Sequence, residues 1–163
     1  MKRLAVILLI IAALAGSAAL YLRLSAVLTV TDAYVEVHPA ADSPAVYSDL
    51  QQKLSEGSFT GRILSDADLT APDGYEFLVY TVRLKNNGIL PAEWIQLEIQ
   101  PSVGLDVLQV GEPRGFSLAA FSTGALSGTL LSRTDGDPAR IVTVRYYVYG
   151  RLFTIDVLVS KRL

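Results

Sequence analysis

RIVTVRYYVYGRLFTIDVLVS, residues 140–160, is the stretch whose reading decides the fold. Val142, Val144, Tyr146 and Val148 recur at every second position, and Phe153, Ile155, Val157 and Val159 repeat the pattern after a break. Thr154 and Asp156 occupy alternate positions of the second run. Successive side chains of an extended chain point to opposite faces, so a period of two gathers the apolar set on one side. Gly150-Arg151 separates the runs, and glycine at the first central position fits a type II′ turn. The stretch predicts an antiparallel hairpin with one buried face.

The same period extends upstream. Residues 75–85 place Leu78, Tyr80, Val82 and Leu84 on one face, with Thr81, Arg83 and Lys85 opposite. Asn86-Asn87-Gly88 follows, and these residues tolerate positive φ, so the chain is expected to turn there. Residues 93–100 set Ile95, Leu97 and Ile99 inward and Gln96, Glu98 and Gln100 outward, before Pro101 and Gly104 end the run. Residues 105–110 read as a short strand bounded by Gly111-Glu112-Pro113-Arg114-Gly115. Residues 28–37 are rich in β-formers but slip register at Asp32, which suggests a bulge. Ser43 as N-cap and Pro44 at the first helical position then open a short helix. Its apolar stripe is Val46, Tyr47, Leu50 and Leu54, and Gly57 stops it. Residues 59–65 form a further strand and 66–74 a polar loop. Seven to eight strands with turn signals at regular intervals predict an all-β fold. The expected architecture is an Ig-like antiparallel β-sandwich with one short helix inserted after the first strand.

A different composition precedes it. Lys2 and Arg3 are followed by an uncharged apolar run over residues 4–22, closed by Arg23. Nineteen residues at helical rise span about 28 Å, close to the hydrocarbon thickness of a bilayer. The expected division is therefore a signal-anchor or transmembrane helix over residues 1–25 and the sandwich over 26–163. Ala13-Leu14-Ala15 and Ser17-Ala18-Ala19 also satisfy the small-x-small pattern of signal-peptide cleavage, which would make the domain secreted. Under either reading the basic flank places the N-terminus in the cytoplasm and the remainder outside it. Leu14-Ala15-Gly16 approximates a lipoprotein signal, but Ser17 stands where the lipidated cysteine would be, and the chain has no cysteine.

The 138 residues after position 25 carry 11 Lys/Arg and 16 Asp/Glu. That mildly acidic balance argues against a nucleic-acid surface, which needs clustered basic residues. Without cysteine there is neither a disulfide framework nor thiolate chemistry, so the apolar core must carry stability. The only asparagines, Asn86 and Asn87, form no glycosylation site. Together with the short basic N-terminal flank, this points to a bacterial envelope.

No motif nominates catalytic, cofactor-binding or metal-ligating residues, and no cofactor is expected. His38 is the sole histidine and lies beside Pro39, with no carboxylate spacing to complete a metal site. Gly115-Phe116-Ser117-Leu118-Ala119 approximates a nucleophile elbow, yet the elbow needs a strand-to-helix turn and a later histidine. Asp66, Asp68 and Asp73, and also Asp135 with Asp137, could offer calcium hard oxygen ligands, but aspartate and glycine are ordinary turn formers. Trp94 precedes the inward series of its strand and is expected to seal the end of the core. Arg145, Tyr147 and Tyr149 share the outward positions of one strand. Aromatic residues beside an arginine are typical of interfaces, so these three are the candidate interaction surface. Cross-strand aromatic pairing offers the structural alternative.

Val82-Arg83-Leu84-Lys85-Asn86-Asn87-Gly88, followed by residues 92–99, resembles bacterial extracytoplasmic Ig-type modules of the CARDB-like kind. In those modules an alternating strand ends in Asn-x-Gly and leads into a second one. The resemblance covers about twenty residues and implies a β-sandwich with a binding or scaffolding role. The acidic, Asn-rich terminal strand of that family is missing here. The expected function is a membrane-tethered, non-catalytic binding or assembly module with a protein partner in the envelope. A domain recognising glycan or calcium is the alternative, and an envelope enzyme with an unrecognised carboxylate site is the third reading.

Overall fold

The computed structural model describes residues 2–24, 28–66, 69–111 and 115–161. The N-terminal helix α1 spans Lys2–Leu24. Strand β1 (Leu28–Pro39) follows, then a 3-10 turn at Ala40–Asp42 and helix α2 (Pro44–Ser55). Strands β2 (Gly61–Ile63), β3 (Tyr75–Asn86), β4 (Ala92–Ile99), β5 (Asp106–Val110) and β6 (Phe116–Leu118) lead to β7 (Thr123–Arg133), β8 (Arg140–Val148) and β9 (Arg151–Val159). The domain boundary expected near Ala26 lies outside the described residues.

Two antiparallel sheets result, ordered β1-β3-β7-β5-β2 and β6-β4-β8-β9. Their facing sides share one core. Leu78, Tyr80, Val82 and Leu84 of β3 meet Ile95, Leu97 and Ile99 of β4 and Val142, Val144, Tyr146 and Val148 of β8. These are the sets that the period of two puts inward, and burying each large side chain contributes about 1.5–3 kcal/mol. The slip at Asp32 is a bulge, where β1 shifts register against β3 between Val30 and Asp32.

Nine strands are present against the expected seven to eight, and the two that no alternation marks, β6 and β7, lie within the stretch 116–133. Strand β7 sits centrally between β3 and β5 although its inward positions include Gly124 and Gly128. A Cβ on Gly128 would stand 3.0 Å from both Ile99 Cδ1 and Leu97 Cδ2. The large residues of β4 thus fill the space that β7 leaves, and packing rather than β-propensity places this strand.

Helix α2 starts at Ser43 and Pro44 as expected, although the Ser43 hydroxyl makes no capping bond. It ends in a Schellman arrangement: Ser58 N–H donates to the Lys53 carbonyl at 2.9 Å and Gly57 N–H to that of Leu54 at 3.2 Å. Tyr47 and Leu50 are buried, and Leu54 packs beside them. Val46 is exposed instead, because the stripe rotates past it. The helix covers the outer face of the five-stranded sheet, meeting Tyr75, Phe77, Val107 and Leu131.

The hairpin β8–β9 closes one residue earlier than the sequence suggests. Val148 pairs with Arg151, so Tyr149 and Gly150 are the central residues. Their φ values of 50° and 71° make a type I′ turn rather than II′. Asn86-Asn87-Gly88 also turns without any positive φ. Its work is done by a side chain: buried Asn86 donates through Nδ2 to the carbonyls of Leu90 (2.8 Å), Leu118 (3.2 Å) and Ala119 (3.1 Å). Its Oδ1 accepts from Gly88 N–H at 2.9 Å.

The large apolar side chains described in α1, from Leu4 to Tyr21, are 52–72 % exposed. Among the described residues, no helix is long and apolar enough to cross a membrane. The expected span over residues 4–22 includes Ala5, Ala18 and Leu22, whose side chains lie outside the description.

Candidate functional site

Among the described residues, the outer face of the four-stranded sheet carries no helix comparable to α2, and its outward residues meet solvent. Arg145 and Tyr147 project from β8 as the alternation requires. Arg145 Nη2 lies 2.8 Å from Glu98 Oε2 on neighbouring β4, with both side chains about half exposed. Thr143 donates to Asp156 on β9 at 2.7 Å. Arg62, from the edge of the other sheet, joins Glu98, Gln100, Thr143, Arg145 and Asp156, with Ile99, Pro101 and Ile141, around an open cleft of about 430 Å³. The cleft offers two guanidinium groups and two carboxylates, a set suited to polar recognition.

Tyr147 is 40 % exposed and lies opposite Leu152 of β9. Tyr149 does not extend the outward series of β8; it occupies the turn, 87 % exposed. The three predicted surface residues thus divide into Arg145 and Tyr147 on the sheet face and Tyr149 at the sheet's end.

Trp94 belongs with Tyr149. It does not seal the core: it is 66 % exposed, because β4 bulges there. Both ladders of β4 shift register across it, between Ala92 and Ile95 and between Glu93 and Gln96. Its φ is 50°, and a bulge of this hand usually carries glycine. Phe121, between β6 and β7, has φ 58° and is 67 % exposed. Among the described residues, these three aromatics are the only non-glycine positions with positive φ. Left-handed backbone costs about 1 kcal/mol or more at each. The alternation of strands conveys none of this; a tyrosine directly before Gly150, where a type I′ turn favours asparagine, was the available signal.

The other candidates resolve locally. Asp137 Oδ1 accepts from Ala139 N–H at 2.9 Å, which closes its turn. Asp68 lies outside the described residues, and among those described no three carboxylate or histidine side chains gather as a metal site. His38 stands 3.8 Å from Glu36, both exposed. Ser117 is the middle residue of β6, a strand that leads into β7 through a short loop, so no strand-to-helix elbow forms around it.

Sequence reasoning also passed over the one buried ion pair described. Arg140, at the start of β8, holds Asp106, at the start of β5, through Nε at 2.9 Å and Nη2 at 2.8 Å. Arg140 further donates to the carbonyls of Asp137 and Ala139, and Ser102 N–H donates to Asp106. The pair clamps the two sheets together at the end opposite Asn86. Burial pushes the Asp106 carboxyl up, but hydrogen bonds from Arg140, Ser102 and Ser132 and the Arg140 charge outweigh it, leaving the group below its ordinary range. With its bonding so complete, the pair is a structural element.

No protein-family model matches the chain, and no curated protein matches it.

Proposed function

We propose that the protein is a membrane-tethered, extracytoplasmic Ig-like sandwich that acts as a non-catalytic binding or assembly module in a bacterial envelope. The observation that carries this reading is the asymmetry of the two sheets. Helix α2 covers the outer face of one, while the other presents Arg145, Glu98 and Tyr147 to solvent. Arginine and tyrosine on an open face are the residue types that dominate protein interfaces. The uncharged run over residues 4–22, with exposed apolar side chains in α1, supports the tether, since a helix apolar all round needs a non-aqueous surrounding. Strand order supports the Ig-like assignment. Without the short β2 and β6, the sheets read β1-β3-β7-β5 and β4-β8-β9, the ABED and CFG layout of that architecture. The CARDB-like resemblance of residues 82–99 agrees with it, and Asn86 gives its Asn-x-Gly motif a structural role.

The test is photocrosslinking in native membranes from a probe at position 147, with a control probe at Asp49 on α2. The reading expects an adduct with one envelope protein from position 147 alone, lost in Arg145→Glu. Equal labelling from both positions, or hydrolytic activity of the purified chain, would overturn it. The cleft around Arg62 and Asp156, with charged groups beside apolar ones, favours a second reading, in which the same face binds a glycan. Thermal stabilisation by a glycan, abolished in Asp156→Ala, would select that reading.

A further inference from the structure

Trp94 in the bulge of β4, Phe121 between β6 and β7, and Tyr149 in the β8–β9 turn all lie towards one end of the sandwich. Leu28 pairs with Asn86, Lys85 with Thr123, and Glu93 with Tyr147, so the starts of β1, β4, β7 and β9 share that end. Asn86 fastens the loops around Leu90 and Ala119 to each other there. At all three positions the backbone is left-handed, where glycine or asparagine is the usual residue. The left-handed conformation does not favour an aromatic residue, and none of the three is part of the core, although the Trp94 ring lies against Gly115. What they share is exposure at the end where β1 begins. Only residues 25–27 separate Leu24 from Leu28, a reach of at most about 14 Å.

We propose that Trp94, Phe121 and Tyr149 form an aromatic foot that rests in the headgroup layer of the bilayer, fixing the sandwich upright on its tether. The inference rests on the tether reading above. Trp and Tyr, rings with one polar edge, favour the membrane–water interface, the Phe121 ring adds apolar area beside them, and the short sequence separation puts this end of the domain within reach of it. Lys85, Glu93 and Arg151, all exposed, lie towards this end. The mixed charge makes ring burial, not attraction to anionic lipid, the source of contact, so it is insensitive to salt.

Trp94 is the only tryptophan in the chain and reports on its own surroundings. The full chain is reconstituted into phosphatidylcholine vesicles with or without bromine at the upper acyl positions. The expected result is an emission drop of about twofold with brominated lipid, weak quenching by aqueous iodide, and no change in high salt. Phe121→Asn with Tyr149→Asn relieves the left-handed strain while removing two rings. That variant should melt no lower than the parent and lose most of the bromolipid quench. Flotation of the same samples separates the two readings. A chain that floats with its vesicles while brominated lipid leaves Trp94 unquenched overturns the foot and leaves the tether standing. Shielding from iodide without bromolipid quenching assigns the rings to a second copy and overturns the foot too. Full quenching in the double variant would do the same. A chain that fails to float overturns the tether and the foot with it.

Discussion

Arg145 and Arg140 lie five positions apart on one strand, and their surroundings assign them opposite work. Arg145 pairs with Glu98 in water, where such a pair contributes about 0–1 kcal/mol. Arg145→Ala should therefore leave the urea midpoint nearly unchanged while removing any crosslink formed from position 147. Arg140 pairs with Asp106 out of water, and removing one partner strands the other. Asp106→Ala is expected to lose about 3–5 kcal/mol, read from urea unfolding at neutral pH. Replacing both residues, as in Asp106→Leu with Arg140→Met, should lose much less, since no buried charge remains. Because the folded Asp106 carboxyl titrates below its ordinary value, its contribution is complete above about pH 4 and is lost as pH falls through the folded value. Parent and Asp106→Ala stabilities should converge in acid. Glu76, raised by burial against the pull of Lys161 and Arg140, has the opposite sign and is common to both proteins, so the difference between them isolates Asp106.

Among the elements, β7 is the most instructive. Gly128→Val inserts a branched side chain where Ile99 and Leu97 already stand at 3.0 Å from a Cβ. Overpacking of this kind costs about 1–3 kcal/mol, and pairing it with Ile99→Ala should recover part of the loss in thermal unfolding. The same contact explains why alternation reveals β3, β4, β8 and β9 but conceals β7. In those four strands each side chain supplies its own apolar bulk, so the period is written in the residues. In β7 the bulk belongs to the opposite sheet, and only the joint volume of the two strands carries the pattern. The candidate surface divides along similar lines. Arg145 and Tyr147 follow from the period of two, whereas the exposure of Trp94 depends on an extra residue in β4 and that of Tyr149 on a turn one residue earlier. Both are register effects, fixed by partners distant in sequence.

At the scale of the molecule, the sandwich has two unlike ends. One is closed by the Asp106–Arg140 clamp, with Tyr80 donating to the Pro138 carbonyl at 2.7 Å nearby. The other is held by Asn86, whose amide joins three carbonyls on two connections. Asn86→Ala should cost about 2–4 kcal/mol, with amide exchange rising first around residues 88–90 and 119–122 and last in the core of β8. The chain enters the domain at this end, where Leu28 N–H donates to the Tyr146 hydroxyl at 3.2 Å. From there β1 runs the length of the sandwich beside β3, in a register from Leu28↔Asn86 to Pro39↔Glu76. That geometry has a mechanical consequence under the proposed tether. Tension between α1 and a partner on the four-stranded sheet would pull β1 along its own axis, across hydrogen bonds that lie perpendicular to it. The ladder is then loaded in shear, and its bonds share the force instead of parting one after another as in a zipper. A domain entered from the side would peel under such a tether, whereas this ladder would share the load.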